Sequence, residues 1–381
     1  MKIKQGFRYI PLVTILTFAC LRVCAFYKKT SYPSHWKPHE ISATSSKTNK
    51  PYSLEIIEFK VTTEQCKNAP ILLLIPGYFQ NAYSWDLLPN KNISVVNFIK
   101  NHSCFHTFSL HPNGIGNSDY VRLSNIDDVA IDDISHAINY LKENFKKNIF
   151  VLGHSKGAIT LQAYLSGLTR SKNGNYFDKK VAIKRQQKVE AFGLSAGNVC
   201  MSDNDQKTQI DTLSRIGTRI QFLNNRLGWI NAKILTRIIS PAHGPFSRLS
   251  AAYFRVWEFL YHIENTSKEA RAALYELTIE GTSSPTLTQF SKGVLNGCIR
   301  NTSGEKYNEG LKNIKIPAFQ MTYSLDPMAV PEFTKRDDFD YIGSKDKDFI
   351  SFTNQGHEDF MMNPKFHENL NWLLNHFEKY K

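Results

Sequence analysis

The stretch Ile149-Phe150-Val151-Leu152-Gly153-His154-Ser155-Lys156-Gly157-Ala158-Ile159 decides the fold. Four consecutive apolar residues read as a strand buried on both faces, and Lys156 to Leu165 reads as the helix that it feeds. Between them a serine has glycine two positions before it and two after. A chain that turns this tightly from strand into helix leaves no room for side chains at those two positions. The turn lifts the Ser155 hydroxyl above the sheet edge, beside the N–H groups that open the helix and favour developing negative charge. A lone G-x-S-x-G is common; the strand before it and the helix after it make it the turn of a nucleophile.

Working outward, Leu54 to Val61, Ile71 to Ile75 and Phe105 to Leu110 are strand candidates. Asn125 to Phe145 carries Ile131, Ile134, Ile138, Leu141 and Phe145 at alternating spacings of three and four, which predicts a one-faced helix. Asp127, Asp128, Asp132 and Asp133 crowd its first turns, where the macrodipole favours acids. Val189 to Leu194 is a further strand. From Met201 to about Tyr307 strong strand runs are missing and helical patterns dominate. Alternation resumes at Ile316 to Tyr323 and Phe349 to Thr353, and the closing helix opens on Asn363-Pro364. The pattern predicts a mostly parallel sheet with helices on both faces, in two pieces (53–200 and 309–381), interrupted by a helical insertion (201–308).

A serine nucleophile needs a base, and the base needs a third group to hold its tautomer. His357, in Asn354-Gln355-Gly356-His357-Glu358-Asp359-Phe360, follows the last strand and precedes the closing helix. Asp326, in Tyr323-Ser324-Leu325-Asp326-Pro327, ends the strand before that. The order Ser, acid, His suits this architecture. Competing acids are Asp203, Asp205, Asp337, Asp338 and Asp340, whose polar surroundings read as solvated surface or helix caps. For the oxyanion, the Tyr78 N–H in the loop Pro76 to Trp85 is the expected donor, partnered by the Lys156 N–H, with Gly77 letting the backbone approach. The sequence shows no Cys/His cluster spaced to hold a metal. Gly114-Ile115-Gly116 lacks the third glycine and the following helix of a dinucleotide site. Neither metal nor cofactor is expected.

Together the Pro76-Gly77 loop, Gly114 to Ser118, the Gly153 to Gly157 turn, Asp326 and Gly356-His357 resemble the α/β-hydrolase superfamily over approximately Ser53 to Ala196 and Ile314 to Lys381. The resemblance implies a mostly parallel central sheet with helices on both faces and an inserted helical cap. It implies Ser155, Asp326 and His357 as a catalytic triad, with the Tyr78 and Lys156 amides as oxyanion hole. Pro76 stands where many members have His, and Lys156 where many have Met, Gln or Leu. Serine as nucleophile points to carboxylic esters, thioesters or amides. An esterase or lipase acting on a hydrophobic acyl group is the first expectation. A thioesterase or peptidase, or an inactive scaffold used for binding, are the alternatives.

The formal charge of +13 is unevenly spread. Lys2, Lys4, Arg8 and Arg22 flank the apolar run Ile10 to Ala19, and Ala25 offers a small residue for cleavage, which predicts a secretory signal over 1–25. The run is short for a membrane span of about 20 residues, so an uncleaved anchor is the lesser reading. Residues 26–52 read as a solvated linker. Export, periplasmic or secreted, places Cys66, Cys104, Cys200 and Cys298 where disulfides persist. Cys66–Cys104 is the preferred pair, and four free thiols the alternative. Between Thr212 and Trp257 there are seven basic residues and no Asp or Glu, interleaved with aliphatic residues and Trp229. This basic cap either lies on an anionic membrane surface or covers the active site as a lid. No nucleic-acid motif is present.

Overall fold

The computed structural model describes residues 31–60, 66, 68–201, 228–232 and 260–381. The expected signal and most of the basic stretch 212–257 lie outside the described residues. Among the described residues, no helix is long and apolar enough to cross a membrane.

Eight strands form one sheet: β1 (Trp36–Thr44), β2 (Pro51–Phe59), β3 (Ile71–Ile75), β4 (His106–His111), β5 (Ile149–His154), β6 (Ala191–Ser195), β7 (Ala318–Tyr323) and β8 (Lys347–Phe352). Their order is β1-β2-β4-β3-β5-β6-β7-β8. The pairings β1·β2 and β2·β4 are antiparallel; the other five are parallel. Strands β3, β5 and β6 are buried along their whole length, which is why they read as unbroken apolar runs. Alternate residues feed two cores. Ile71, Leu73 and Val151 pack with the helices Ile134–Phe145 and Lys156–Leu165. Leu72, Leu74 and Phe150 pack with Val95–His102 and Asn369–Glu378 on the other face.

The segment expected to be a solvated linker instead contains β1. Only Trp36, Ile41 and Ala43 of its nine residues are buried, so no apolar run betrays it. As an edge strand it tolerates Pro38 and presents Lys37 to solvent, and Trp36 Nε1 anchors it to Asp86 Oδ2 at 2.8 Å.

The helix expected from Asn125 onward is present but carries a π turn, Val129–Asp133, between Ile126–Asp128 and Ile134–Phe145. Asn125 and Asp128 form a reciprocal capping box. The other three acids do more than start a helix. Asp127 accepts from Asn175, Gln289 and the Thr302 N–H. Asp132 accepts from the Ser46 N–H, and Asp133 from Tyr52 Oη and the Asn113 N–H. They tie the helix to the turn after β1, to β2 and to the returning insertion.

Within the insertion the described residues are mainly helical, with Lys268–Ala273, a π turn Leu274–Thr278 and Ser284–Leu295. A short ribbon pairs Trp229–Asn231 with Gly281–Ser283. A hairpin in the core, Leu168–Ser171 with Gly174–Phe177, was not legible in the sequence. The expected Cys66–Cys104 bridge is present, and a second joins Cys200 to Cys298. That second bridge sits where the insertion leaves and rejoins the core, flanked by main-chain bonds from Met201 N to Gly297 O and from Ile299 N to Val199 O. With 98 residues of separation, chain-entropy arithmetic gives it about 4–5 kcal/mol. The Cys200→Ser/Cys298→Ser double variant is expected to lose most of that in denaturant unfolding. A loss below about 1 kcal/mol would show that the flanking hydrogen bonds hold the neck alone.

Candidate active site

The site is built at the C-terminal ends of the parallel strands. Ser155, between β5 and the helix Lys156–Leu165, sits at φ 50°, ψ −121°, a conformation that disfavours any side chain. Its neighbours explain the glycines. A Cβ on Gly157 would lie 2.2 Å from the Ile75 carbonyl oxygen, and one on Gly153 would lie 2.7 Å from Ala158 N. The helix therefore starts against the end of β3, and this brings the Lys156 amide to the Gly77-Tyr78 loop.

Neither the Tyr78 nor the Lys156 N–H donates to another group among the described residues. Two adjacent, unengaged amides beside a strained serine are what an oxyanion hole requires. Gly77 N–H donates to Gln80 Oε1 at 3.1 Å, which fixes the loop, and a Cβ on Gly77 would lie 3.3 Å from Ser155 Cβ. The side chains of Tyr78 and Lys156 are also close. Lys156 Nζ lies 5.4 Å from the centre of the Tyr78 ring, which packs on Phe290 of the insertion. Burial pushes the Lys156 ammonium down to about 8, opposed by the Asp133 carboxylate.

Asp326 and His357 are brought together by the turns after β7 and β8. His357 Nδ1 lies 2.7 Å from Asp326 Oδ2, and Asp326 Oδ1 accepts from the Met328 and Ala329 N–H groups at 2.8 and 3.0 Å. Both side chains are buried. Burial disfavours the imidazolium, but the charge and hydrogen bond of Asp326 outweigh it, so His357 is raised above its ordinary value. His357 Nε2 is buried without a partner, and Ser155 Oγ makes no hydrogen bond to it.

The competing acids take other places. Asp338, expected to be solvated, is instead buried and accepts from the Val199 and Cys200 N–H groups at the neck of the insertion. Asp337 pairs with Arg336 and Asp340 with Lys335 at the surface. Asp203 and Asp205 lie outside the described residues.

Behind the Asp326–His357 pair is a layer that the sequence reading missed. His154 Nε2 lies 3.3 Å from Glu358 Oε1, which also accepts from Gln80 Nε2 at 2.9 Å. His154 Nδ1 lies 3.3 Å from Ser195 Oγ, itself 2.8 Å from Tyr323 Oη. Where no metal-ligand cluster was expected, His154, His357 and Glu358 offer ligand atoms within 4.8 Å of one another. The only sequence signal was adjacency, since His154 precedes Ser155 and Glu358 follows His357. The returning insertion braces this region: Leu260 O accepts from Glu358 N at 2.7 Å, and Asp359 accepts from the N–H groups of His262 and Gly356, each at 2.8 Å.

An eight-stranded sheet in this order, with the strained Ser155 turn after β5 and Asp326 and His357 after β7 and β8, is the α/β-hydrolase fold. No family model matches the chain, and no curated protein matches it in sequence. Solved structures do. A soluble variant of monoglyceride lipase from Saccharomyces cerevisiae aligns with TM-score 0.57 and 11% identity over 93% of this chain and 97% of that one. DcsB, solved with a substrate analogue, aligns with TM-score 0.54 and 15% identity over 91% and 100%. Monoacylglycerol lipase from Paleococcus ferrophilus aligns with TM-score 0.52 and 16% identity over 85% and 99%. At these identities the likeness is one of fold.

Proposed function

We propose that the protein is a serine hydrolase that cleaves carboxylic esters of a hydrophobic acyl group through an acyl-enzyme on Ser155. The observation that carries this reading is the conjunction at one sheet edge: a strained Ser155, two unengaged amides beside it, and a buried Asp326–His357 pair whose second imidazole nitrogen is free. In the reaction the Ser155–His357 contact closes around the bound substrate, as catalytic hydrogen bonds often do. Ser155 Oγ then bonds to the acyl carbon as its proton passes to His357 Nε2. The tetrahedral oxyanion is held by the Tyr78 and Lys156 amides, and the alcohol departs with the proton from His357. Water, deprotonated by the same nitrogen, releases the acid.

Hydrophobic acyl specificity is supported by the aromatic side chains of Tyr78, Phe79 and Phe290, which cluster at the oxyanion loop. The insertion is the cap of this site, since it contacts both the oxyanion loop and the histidine loop. Export is supported by the pairing of all four cysteines beyond residue 25. The basic stretch of the cap, where it would meet an anionic lipid surface, lies outside the described residues.

Fluorophosphonate labelling read by peptide mass spectrometry tests the nucleophile, and a panel of p-nitrophenyl esters of rising chain length, with thioester and aminoacyl-amide controls, tests the substrate. Labelling at Ser155 and fastest turnover on longer acyl esters are expected. Folded protein that is not labelled would make the chain a binding scaffold. Faster amide or thioester turnover would move it to the peptidases or thioesterases.

A further inference from the structure

His154, His357 and Glu358 each offer a ligand atom within 4.8 Å of the others; His357 Nε2 and Glu358 Oε2 are buried without hydrogen-bond partners, and His154 Nε2 meets Glu358 Oε1 at 3.3 Å. The three residues are 0%, 2% and 3% exposed. A buried polar atom left unpaired is costly, so two of them beside a second imidazole call for a ligand.

The other donor or acceptor atom of each residue is already engaged. His154 Nδ1 meets Ser195 Oγ, His357 Nδ1 meets Asp326 Oδ2, and Glu358 Oε1 meets Gln80 Nε2. This is the arrangement that orients metal ligands: each imidazole has its outer nitrogen fixed by an oxygen, and the carboxylate is held by a donor. Two imidazoles and one carboxylate form a set suited to a borderline-soft divalent ion such as Zn2+, with a fourth position left to solvent.

We propose that His154, His357 and Glu358 form a Zn2+ site, and that occupancy ties up the lone pair of His357 Nε2 that would accept the Ser155 proton. Zn2+ binding stands on the ligand geometry alone; its consequence, reversible inhibition, rests on the serine-hydrolase reading. No bond to substrate is made or broken by the ion, and its removal by a chelator returns the free base.

The test uses the full chain, stripped of metal and titrated with Zn2+ against a chromophoric chelator, with Co2+ as a spectroscopic probe. One ion per chain at submicromolar affinity is expected, with Co2+ giving the visible bands of a four-coordinate site. Glu358→Gln, which keeps the shape and the Gln80 contact, is expected to weaken binding about tenfold or more; His154→Gln gives a second reading should that variant fold poorly. Absence of the tight event, or the same affinity in folded Glu358→Gln, overturns the site. In chelator-treated enzyme, fluorophosphonate labelling is expected to proceed, to stop when Zn2+ is added, and to resume with excess chelator. Labelling that continues at full rate on the zinc-loaded protein overturns the capture of His357. No labelling even without metal overturns the serine-hydrolase reading instead, and the binding data then decide the site by themselves.

Discussion

Ser155→Ala is expected to lower ester turnover by about 10^6-fold while leaving the fold intact, because the hydroxyl is the only atom removed and it makes no hydrogen bond in the free protein. Alanine at φ 50°, ψ −121° carries the same backbone strain as serine. Ser155→Gly removes the strain as well as the nucleophile. Strain of this kind costs roughly 1–3 kcal/mol, set against about 0.5–1 kcal/mol of extra unfolded-state entropy for glycine. The glycine variant is therefore expected to unfold at higher denaturant than the alanine variant, by about 1 kcal/mol. Turnover near that of the parent in Ser155→Ala would move the nucleophile elsewhere. Equal stability of the two variants would remove strain from the account of this turn.

Asp326→Asn is expected to cost about 10^4 in kcat with little effect on stability. The asparagine carbonyl can keep the bonds from the Met328 and Ala329 N–H groups. Its amide then faces His357 Nδ1 as a donor, so the imidazole must place its proton on Nε2 and has no lone pair there for Ser155. The measurement is the rate of fluorophosphonate labelling beside the denaturant midpoint. A loss of less than about tenfold at unchanged stability would mean that another group sets the tautomer, with Glu358 the nearest carboxylate on the same loop.

The candidates Ser155, Asp326 and His357 stand out in the sequence because each is marked by its place in the chain: a turn signature for the first, a strand end for the second, the last loop before the closing helix for the third. The fold was legible where strands are buried on both faces, as in Ile71 to Ile75 and Ile149 to Leu152. It was hidden where burial is one-sided. Strand β1 shows only Trp36, Ile41 and Ala43 to the interior and reads as a polar tail. Asp127 and Asp133 look like helix-start acids because proximity in sequence is visible and Tyr52, Asn113 and Thr302 are not. The meeting of His154 with Glu358 was illegible for the same reason. Each is ordinary in its own segment, and only the closure of β5 against the loop after β8 makes them neighbours.

The neck at Cys200 and Cys298 has a consequence for how this protein can be altered. The two Cα atoms are 3.9 Å apart, about the span of one peptide unit, so the whole intervening segment departs and returns at a single point. A replacement cassette bounded by those two cysteines would leave the register of β6 and β7 unchanged, and with it the spacing of Ser155, Asp326 and His357. The transplant would still need to supply a carbonyl in place of Leu260 O for the Glu358 N–H and a donor in place of His262 N–H for Asp359, because the histidine loop leans on both. The exchanged segment must also rebuild the bonds that Glu280, Ser283 and Gln289 make to Asn81, Gly116, Ser124 and Asp127, so the two cysteines fix where a substitute is spliced and the core decides which substitutes fit.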